Sequence, residues 1–399
     1  MKLPSLDGLL KGPGVRGQRV FLRADLNVPM RGGKVADDTR IRACLSTLRR
    51  LLAEGARVIM ASHLGRPKGE WVPELSLRPV ANRLQELLGR PVRFCPEIVG
   101  PQAEAAVAEL GDGEVLLLEN LRFHPGETRN DPELARALAA LADVYVDDAF
   151  GSAHRAHAST VGMVRHVARC AAGDLVRREI EHLQAVREPQ RPLLCLLGGA
   201  KVSDKLAVLE ALAPHADVLA VGGAMAYTFL RAQGVSTGSS RVEEERVGDA
   251  TRVREAAERA GRRLLLPVDH VVVEELREDA PSRVVEEIPD GWLGVDVGPR
   301  TAELYAWEVA RARTIFWNGP LGVFEMAPFA KGTETVARAI AEAEAFSVVG
   351  GGDSLAAVQR IGVAERIGHL STGGGASLEF VQGLALPGLE ALRQAEEES

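Results

Sequence analysis

Short apolar runs alternate with amphipathic patterns along nearly the whole chain. In the first half, the runs RVFLRADLN, RVIMAS, VRFCPE, EVLLLEN and DVYVDDAF predict strands. Between them, apolar residues recur at helical spacing, as in the segment from Thr39 through Ile41, Leu45, Leu48 and Leu52. Strands that alternate with helices in this way predict a parallel sheet covered by helices on both faces.

The second half of the chain repeats this scheme. Strands are predicted at LLCLL, DVLAVGG, RRLLLPVDHVVV, WLGVDVG, TIFWNGPLGVFE and FSVVGGG. Between the halves, residues 172–188 place Val176, Ile180 and Leu183 on one side and charged residues elsewhere, which predicts a linker helix. The sequence therefore favours an α/β fold with two doubly wound, Rossmann-like lobes, each with a mainly parallel sheet, over residues 1–171 and 189–385, followed by a tail over residues 386–399.

Composition narrows the functional classes. A chain of 399 residues is too long for one hydrophobic core, and its formal net charge of −7 argues against bulk nucleic-acid binding, so an anionic ligand requires a local pocket of positive groups. The start lacks a signal-peptide pattern and no run has the length of a membrane-spanning helix, so we expect a cytoplasmic protein with no membrane partner. The four cysteines form no CxxC pair and predict neither a zinc site nor a disulfide framework.

The loops that follow the strands of the first half are rich in basic and polar residues. Ligands of open α/β sheets bind beyond the carboxyl ends of the strands, so these loops are candidate binding segments. A single arginine there is more often a surface charge, but its recurrence in successive loops predicts a small, multiply anionic substrate held by bidentate arginines. The residues concerned are Asp25, Asn27, Arg40, His63, Arg66, Arg122, His124, His154, Arg155 and His157.

The corresponding loops of the second half carry glycines, which let the backbone approach a phosphate or a flat base. They are Gly198, Gly199, Gly222, Gly223, Gly294, Gly319, Gly350, Gly351, Gly352, Gly373, Gly374 and Gly375. Asp353 follows one such cluster and is the best-placed carboxylate for Mg²⁺, with a helix N-cap at Asp353 or Ser354 as the alternative. Glu325 is either an acceptor for ribose hydroxyls or a residue of a solvated loop.

The segment Leu193–Leu212 combines an apolar strand, a glycine turn and a stripe of Val202, Leu206 and Leu209 that predicts a helix. Lys201 and Lys205 are four residues apart, so we expect them on one helix face, where the helix dipole disfavours cations. Only seven of the 48 basic residues are lysines. This pairing favours a phosphate-binding turn over the alternative of two solvated lysines.

The sequence does not fit either of two common nucleotide-binding motifs. A literal GxGxxG occurs at Gly12, Gly14 and Gly17, but it precedes a strand and opens no helix, so it lacks the context of a dinucleotide fingerprint. No GxxxxGK[ST] phosphate loop is present. A nucleotide site is therefore predicted from GGAKVSDK together with GGGDS.

Taken together, these segments resemble the phosphoglycerate kinase family. The matching pieces are RADLNVP, SHLGRP, ENLRF, DDAFGSAHRAHAS, GGAKVSDK, WNGPLGVFE, GGGDS and STGGGAS, in order over about the whole chain. The resemblance implies reversible phosphoryl transfer between 1,3-bisphosphoglycerate and Mg-ADP, giving 3-phosphoglycerate and ATP. It also implies that the tail returns toward the first lobe.

The resemblance further implies residue roles. Phosphoglycerate ligands would be Asp25, Leu26, Asn27, Arg40, His63, Leu64, Gly65, Arg66, Arg122 and Arg155. Nucleotide ligands would be Gly199, Lys201, Lys205, Gly294, Glu325, Gly351, Gly352, Asp353 and Ser354, with Asp353 also binding Mg²⁺. The family more often has Thr at the position of Ser354, and a hydroxyl is kept.

The expected mechanism is positioning and charge neutralisation, because the carboxylate nucleophile is already ionised at neutral pH and needs no general base. Arg40 and Lys205 would clamp the transferring group, and the backbone of Gly373, Gly374 and Gly375 would assist. We expect a monomer whose lobes close by hinge bending to exclude water. The alternatives are a nicotinamide-dependent dehydrogenase and a non-catalytic nucleotide-binding scaffold.

Overall fold

The computed structural model describes residues 3–12 and 14–397. Residues 1, 2, 13, 398 and 399 lie outside this description, and they include the outer ends of the predicted first lobe and tail. The chain divides into two compact units. Unit 1 comprises Met1–Glu181 and Ala385–Ser399, and unit 2 comprises His182–Leu384.

The helices of the described residues alternate with strands in both units. They are α1 Leu6–Lys11, α2 Thr39–Ala53, α3 Arg78–Leu88, α4 Pro101–Ala108, α5 Pro132–Ala140, α6 Asp174–Arg187, α7 Leu206–Leu212, α8 Met225–Ala232, α9 Val247–Arg259, α10 Pro299–Arg311, α11 Lys331–Glu342, α12 Gly352–Ile361, α13 Gly375–Val381 and α14 Pro387–Glu397. Within residues 3–12 and 14–397, no helix combines the length and the apolar character needed to cross a membrane.

The strands are β1 Arg19–Ala24, β2 Met30–Arg31, β3 Lys34–Val35, β4 Arg57–Ala61, β5 Arg93–Cys95, β6 Val115–Leu118, β7 Val144–Asp148, β8 Cys170–Ala172, β9 Leu193–Leu197, β10 Val218–Val221, β11 Arg263–Leu265, β12 His270–Val273, β13 Arg283–Val285, β14 Leu293–Val297, β15 Thr314–Asn318, β16 Phe346–Gly350 and β17 His369–Ser371. Shorter helical turns at Leu121–Phe123, Phe150–Ser152 and Ala158–Gly162 follow strands β6 and β7.

Unit 1 is built on a six-stranded sheet in the order β5-β6-β4-β1-β7-β8. All its strand pairs are parallel. Alternate strand residues such as Val20 and Leu22 share one face with Met60 and pack against Ile41 and Leu48 of α2. The helical spacing of α2 therefore supplies the apolar stripe that covers this face of the sheet.

Unit 2 has a second six-stranded parallel sheet, in the order β11-β10-β9-β15-β16-β17. Leu196 and Trp317 on neighbouring strands pack with Tyr305 of α10 and Ile340 of α11 in one buried cluster. The predicted α/β fold with two lobes, each built on a mainly parallel sheet, is confirmed.

Two details of the sequence-based prediction are wrong. RRLLLPVDHVVV does not form one strand, since β11 joins the main sheet and β12 belongs to a three-stranded antiparallel sheet in the order β13-β12-β14. The chain breaks there at Pro267, which lacks the backbone N–H that a continuous strand would use. Likewise, α7 begins at Leu206, so Lys201, Val202 and Lys205 all precede the helix, and the expectation that the two lysines share a helix face is wrong.

Helix α6 begins in unit 1 and ends in unit 2, since the division falls between Glu181 and His182. Its N-terminus is fixed by a buried carboxylate, because Oδ1 of Asp148 accepts from the N–H of Leu175 at 2.9 Å and of Val176 at 3.4 Å. A Cβ on Gly173 would overlap Asp148 Oδ1. Glycine therefore leaves the space in which the Asp148 carboxylate binds the helix.

We predict that Gly173→Ala lowers the free energy of unfolding by about 1–3 kcal/mol, because the added methyl group displaces the Asp148 carboxylate from its N–H donors. Gly248→Ala is the matched control, since Gly248 is exposed in α9 and its Cβ would meet open space. There the substitution should stabilise by about 0.5–1 kcal/mol. Denaturant unfolding of both variants checks the prediction, which is contradicted if Gly173→Ala is as stable as wild type.

Candidate functional site

The loops after β1, β4, β6 and β7 meet at one edge of the unit 1 sheet, because these strands are parallel and lie next to one another. Asp25, Leu26 and Asn27 follow β1, and His63, Leu64, Gly65 and Arg66 follow β4. Arg122 follows β6, Arg155 follows β7, and Arg40 lies in the first turn of α2. The topology therefore gathers the residues predicted in the first half of the chain.

An ion pair between Arg40 and Asp25 lies at the centre of this cluster. Asp25 is 7% exposed. Burial raises the pKa of Asp25, but the surrounding groups, with the Arg40 guanidinium foremost and Arg23 and the N–H of Asn27 among the others, together outweigh it and hold that pKa below its usual value. The carboxylate stays charged and keeps the Arg40 guanidinium in place.

Side-chain hydrogen bonds to backbone fix the two loops on either side of this pair. The N–H of Gly65 donates to Oδ1 of Asn27 at 2.9 Å, and the N–H of Leu26 donates to Oγ of Ser62 at 2.8 Å. The N–H of Leu64 donates to Oδ1 of Asn120 at 3.1 Å. In this structure the buried Leu26 and Leu64 shape the cluster through their backbone N–H groups, whereas Asn27 does so through its side-chain oxygen.

Arg122 completes the inner part of the cluster. Its Nη1 donates to the carbonyl oxygen of Gly65 at 2.8 Å, whereas its buried Nε has no hydrogen-bond partner among the described residues. Burial lowers the pKa of Arg122, and the nearby charges of Arg23 and Arg66 lower it further. A guanidinium with an unused, buried N–H donor is suited to binding an anion.

Two further predicted cations lie at the outside. Arg66 is exposed, and so is Arg155, whose Nε donates to Nε2 of His154 at 3.0 Å. His157, one of the strand-end residues noted in the sequence, is buried instead, and burial lowers its pKa to about 4. The structure therefore separates an inner group of Asp25, Arg40, His63 and Arg122 from these outer arginines.

Arg23 is a member of this cluster that sequence reasoning missed. It is fully buried on β1, and its Nη2 lies 3.3 Å from Nδ1 of His63. Burial lowers the pKa of His63 well below its usual value, so the imidazole is neutral at neutral pH. The available signal was an arginine inside an otherwise apolar strand, since a buried charge needs partners.

The second polar cluster lies at the carboxyl edge of the unit 2 sheet, where β9, β15 and β16 are neighbours. Lys205 directly precedes α7, and its Nζ donates to Oδ1 of Asn318, the last residue of β15. Burial lowers the pKa of Lys205 to about 8, although the nearby carboxylates of Asp353 and Asp204 raise it. Asn318 was not predicted, and its contact with Lys205 joins residues far apart in the sequence.

The start of α12 borders this lysine. Gly351 has φ 91°, and a Cβ on it would lie 3.0 Å from Nδ2 of Asn318. Gly351 precedes α12 as its cap residue, so the alternative of an N-cap at Asp353 or Ser354 is wrong. Asp353 is exposed in the first helical turn, whereas Ser354 is buried and its Oγ accepts from the N–H of Gly319 at 2.6 Å.

The other predicted residues of unit 2 occupy different surroundings. A Cβ on Gly199 would lie 3.4 Å from Cε of Lys205, so this glycine borders the lysine side chain. Gly294 lies on β14, and its N–H donates to Oγ of Ser240 at 2.9 Å. Lys201 is half-buried in the loop before α7, and Glu325 is exposed.

The glycine turn after β17 leads into α13. Gly374 has φ 54° and open space around its would-be Cβ, and Gly375 is the first residue of the helix. Gly352, the first residue of α12, is exposed, and a Cβ on it would also meet open space. These backbone positions are accessible to a ligand in unit 2.

Metal binding would rest on few protein ligands. Among residues 3–12 and 14–397, no group of three or more His, Cys, Asp or Glu side chains is arranged to hold a metal ion. The exposed carboxylate of Asp353 fits Mg²⁺ better than other metals, because Mg²⁺ is bound by one or two carboxylates together with water and substrate phosphates.

A cavity of about 1000 Å³ in unit 1 does not coincide with the cluster around Asp25. It is lined by the β2–β3 hairpin and by α3, and two of its three arginines, Arg42 and Arg83, both pair with Asp38. Because these two charges are already compensated, the cavity has a weaker claim to an anionic ligand than the cluster.

Comparison with known proteins supports one family. A family model described as phosphoglycerate kinase matches residues 10–384. The chain is 56% identical over 386 residues to the phosphoglycerate kinase of Rubrobacter xylanophilus, covering 96% of this chain and 97% of the relative. It is 56% identical over 388 residues to that of Moorella thermoacetica, covering 96% and 98%. The structure of phosphoglycerate kinase from Coxiella burnetii matches with a TM-score of 0.88 and 41% identity, covering 100% of each chain.

We predict that the Lys205 ammonium titrates with a midpoint near pH 8, because burial disfavours its charged form. The neighbouring Asp353 carboxylate raises that pKa, so Asp353→Asn should move the midpoint lower still. Carbon-13 NMR of the lysine ε-carbons measures both values, and the seven lysines of the chain keep the spectrum simple. Lys205→Arg assigns the signal by removing it. A midpoint near 10.5 would contradict the burial of this group.

Proposed function

This chain belongs to the phosphoglycerate kinase family, and we propose that its two polar clusters divide the substrates of the family's reaction between them. The chain is an enzyme that transfers a phosphoryl group reversibly between 1,3-bisphosphoglycerate and ADP, giving 3-phosphoglycerate and ATP, as in glycolysis. The resemblance seen in its motifs is confirmed. Neither a nicotinamide-dependent dehydrogenase nor a non-catalytic scaffold is favoured.

The cluster of unit 1 is assigned to the phosphoglycerate. The observation that carries this assignment is the convergence of the guanidiniums of Arg23, Arg40 and Arg122, with the neutral imidazole of His63, around the carboxylate of Asp25. Positive groups thus exceed negative ones at a strand-end edge, which suits a small molecule with a phosphate and a carboxylate. Arg66 and Arg155, which are exposed, extend the same positive surface.

The cluster of unit 2 is assigned to the nucleotide. Lys205 supplies an ammonium held by Asn318, and the glycines at the start of α12 and α13 expose backbone N–H groups. Gly199 and Gly351 keep the backbone close to this lysine and to Asn318. Lys201, Gly294, Glu325, Gly352 and Ser354 remain assigned to this side from the family motifs.

The chemistry needs positioning and charge neutralisation. In the ATP-consuming direction the nucleophile is the carboxylate of 3-phosphoglycerate, which is ionised at neutral pH, so no side chain has to remove a proton. Negative charge spreads over the oxygens of the transferring group, and Arg40 and Lys205 are the cations assigned to it. Backbone N–H groups of Gly374 and Gly375 would donate to the same oxygens.

Mg²⁺ is proposed as the metal, with Asp353 as its protein ligand. When bound with the nucleotide, Mg²⁺ would neutralise phosphate charge and orient the phosphates. The exposure of Asp353 in the first turn of α12 supports this, since the carboxylate is free of helix capping.

We also propose that the enzyme acts in the cytoplasm as a monomer. Its substrates are small phosphorylated metabolites, and the described cysteines are all free thiols. Each cluster is assembled within a single chain, so activity does not require a second subunit.

We predict that Arg40→Ala and Lys205→Ala each lower turnover by about 100-fold or more, because each removes a charge that stabilises the transferring group. For Lys205→Ala, turnover should fall more than nucleotide affinity. The measurement is a coupled assay of ADP formation that depends on 3-phosphoglycerate, with KM for each substrate.

Arg42→Ala and Lys331→Ala are matched controls. Arg42 lies on the same helix as Arg40 but pairs with Asp38, and Lys331 is exposed at the start of α11. Both should retain near wild-type turnover. Absence of activity in the wild type would overturn the function, and full activity in Arg40→Ala or Lys205→Ala would overturn the role of that residue.

A further inference from the structure

A chain of buried polar contacts runs beneath His63 and ends on a carboxylate that no part of the reaction uses. Glu127 is fully buried in the loop after β6. Its carboxylate accepts from Ser159, from the N–H at 3.1 Å and from the hydroxyl at 2.6 Å. Oγ of Ser159 in turn accepts from Nε of Arg23 at 2.9 Å. The chain Glu127–Ser159–Arg23–His63 therefore links the buried Glu127 carboxylate to the cluster.

Each contact in this chain has a fixed direction. A guanidinium has only donors, so Oγ of Ser159 must accept from Arg23 and direct its single hydrogen to Glu127. For the same reason, Nδ1 of His63 must accept from Nη2 of Arg23 across their 3.3 Å separation. A neutral imidazole whose Nδ1 accepts carries its hydrogen on Nε2.

We propose that Glu127 and Ser159 are positioning residues that hold Arg23 and, through it, fix His63 in the tautomer that carries hydrogen on Nε2. His63 then offers a single N–H donor of defined direction. This inference rests on the assignment of His63 to the phosphoglycerate site, where an Nε2–H donor meets an anionic oxygen. The lowered pKa of His63 is consistent with a neutral donor.

The buried charge of Glu127 has a reason in this arrangement. A buried carboxylate destabilises the fold unless it is paired and hydrogen-bonded. Ser159 supplies the hydrogen bond to Glu127, and Arg122 supplies the opposite charge. The charge of Glu127 raises the pKa of Arg122, whereas burial lowers it. Nδ1 of His157 lies 3.7 Å from Oε1 of Glu127, too far for a hydrogen bond, and the lowered pKa of His157 leaves this ring neutral.

The test combines a spectroscopic and a kinetic measurement on Ser159→Ala. Nitrogen-15 NMR of the histidine rings reports which nitrogen of His63 is protonated, and His63→Gln assigns the signal. In wild type we expect a single tautomer with hydrogen on Nε2, and in Ser159→Ala a mixture of both. KM for 3-phosphoglycerate should rise about tenfold in the variant, the loss expected for one hydrogen bond, while KM for ATP stays unchanged.

A double-mutant cycle separates this role from a general effect on folding. In the His63→Gln background, Ser159→Ala should no longer raise KM for 3-phosphoglycerate, because its effect acts through the imidazole. Ser46→Ala is the matched control, since the Ser46 hydroxyl donates to Oδ2 of Asp174 at 2.7 Å in the same unit. It should change neither the His63 spectrum nor KM.

The outcomes are distinct. An unchanged His63 spectrum in a folded Ser159→Ala protein overturns the proposal. A changed spectrum with an unchanged KM supports the positioning of His63 but overturns its assignment to the phosphoglycerate site. If Ser159→Ala does not fold, as judged by circular dichroism, Glu127→Gln gives the same test, because it removes the negative charge and one acceptor at the end of the chain. There too, an unchanged spectrum overturns the proposal.

Discussion

Repulsion between guanidinium groups is the constraint on which the unit 1 cluster depends. The charge of Arg23 lowers the pKa of Arg122, and Arg23 and Arg40 both act on Asp25, so the three guanidiniums share one small region in which like charges repel one another. Asp25 compensates Arg40 directly, whereas Glu127 compensates Arg122 and, through Ser159, Arg23. Asp147 also interacts with Arg23, and Arg66 with Arg122, so four guanidiniums stand against three carboxyl groups and an anion can complete the balance.

Much of this arrangement could be predicted from sequence because it follows from local patterns and from the geometry of parallel strands. The helical spacing from Thr39 to Leu52 predicted α2 at Thr39–Ala53. Parallel strands bring their carboxyl ends to one edge whatever the loops contain, so Asp25, His63 and Arg122 were expected together. The polar residues after each strand were therefore predictable as a group, without knowledge of their contacts.

The missed residues are those whose role depends on contacts between distant segments. Glu127 and Ser159 lie 32 positions apart, and Lys205 and Asn318 lie 113 apart, so no local pattern links them. The start of α7 was misjudged for a similar reason. The Ser203 side chain and N–H bind Glu243, 40 positions away, and this contact holds the segment before Lys205 outside the helix.

The division of unit 1 into two stretches of chain has a consequence for biosynthesis. Helix α14 packs on β8 and on the turn at Ala158–Gly162, and the N–H of Gly388 donates to the carbonyl oxygen of Ala153 at 2.9 Å. A ribosome must therefore make all of His182–Leu384 before this face of unit 1 can be covered. Unit 2 is continuous in sequence and has no such delay. During synthesis, the N-terminal part of unit 1 therefore keeps an apolar face exposed while unit 2 folds. Transiently exposed apolar surface of this kind is what chaperones bind.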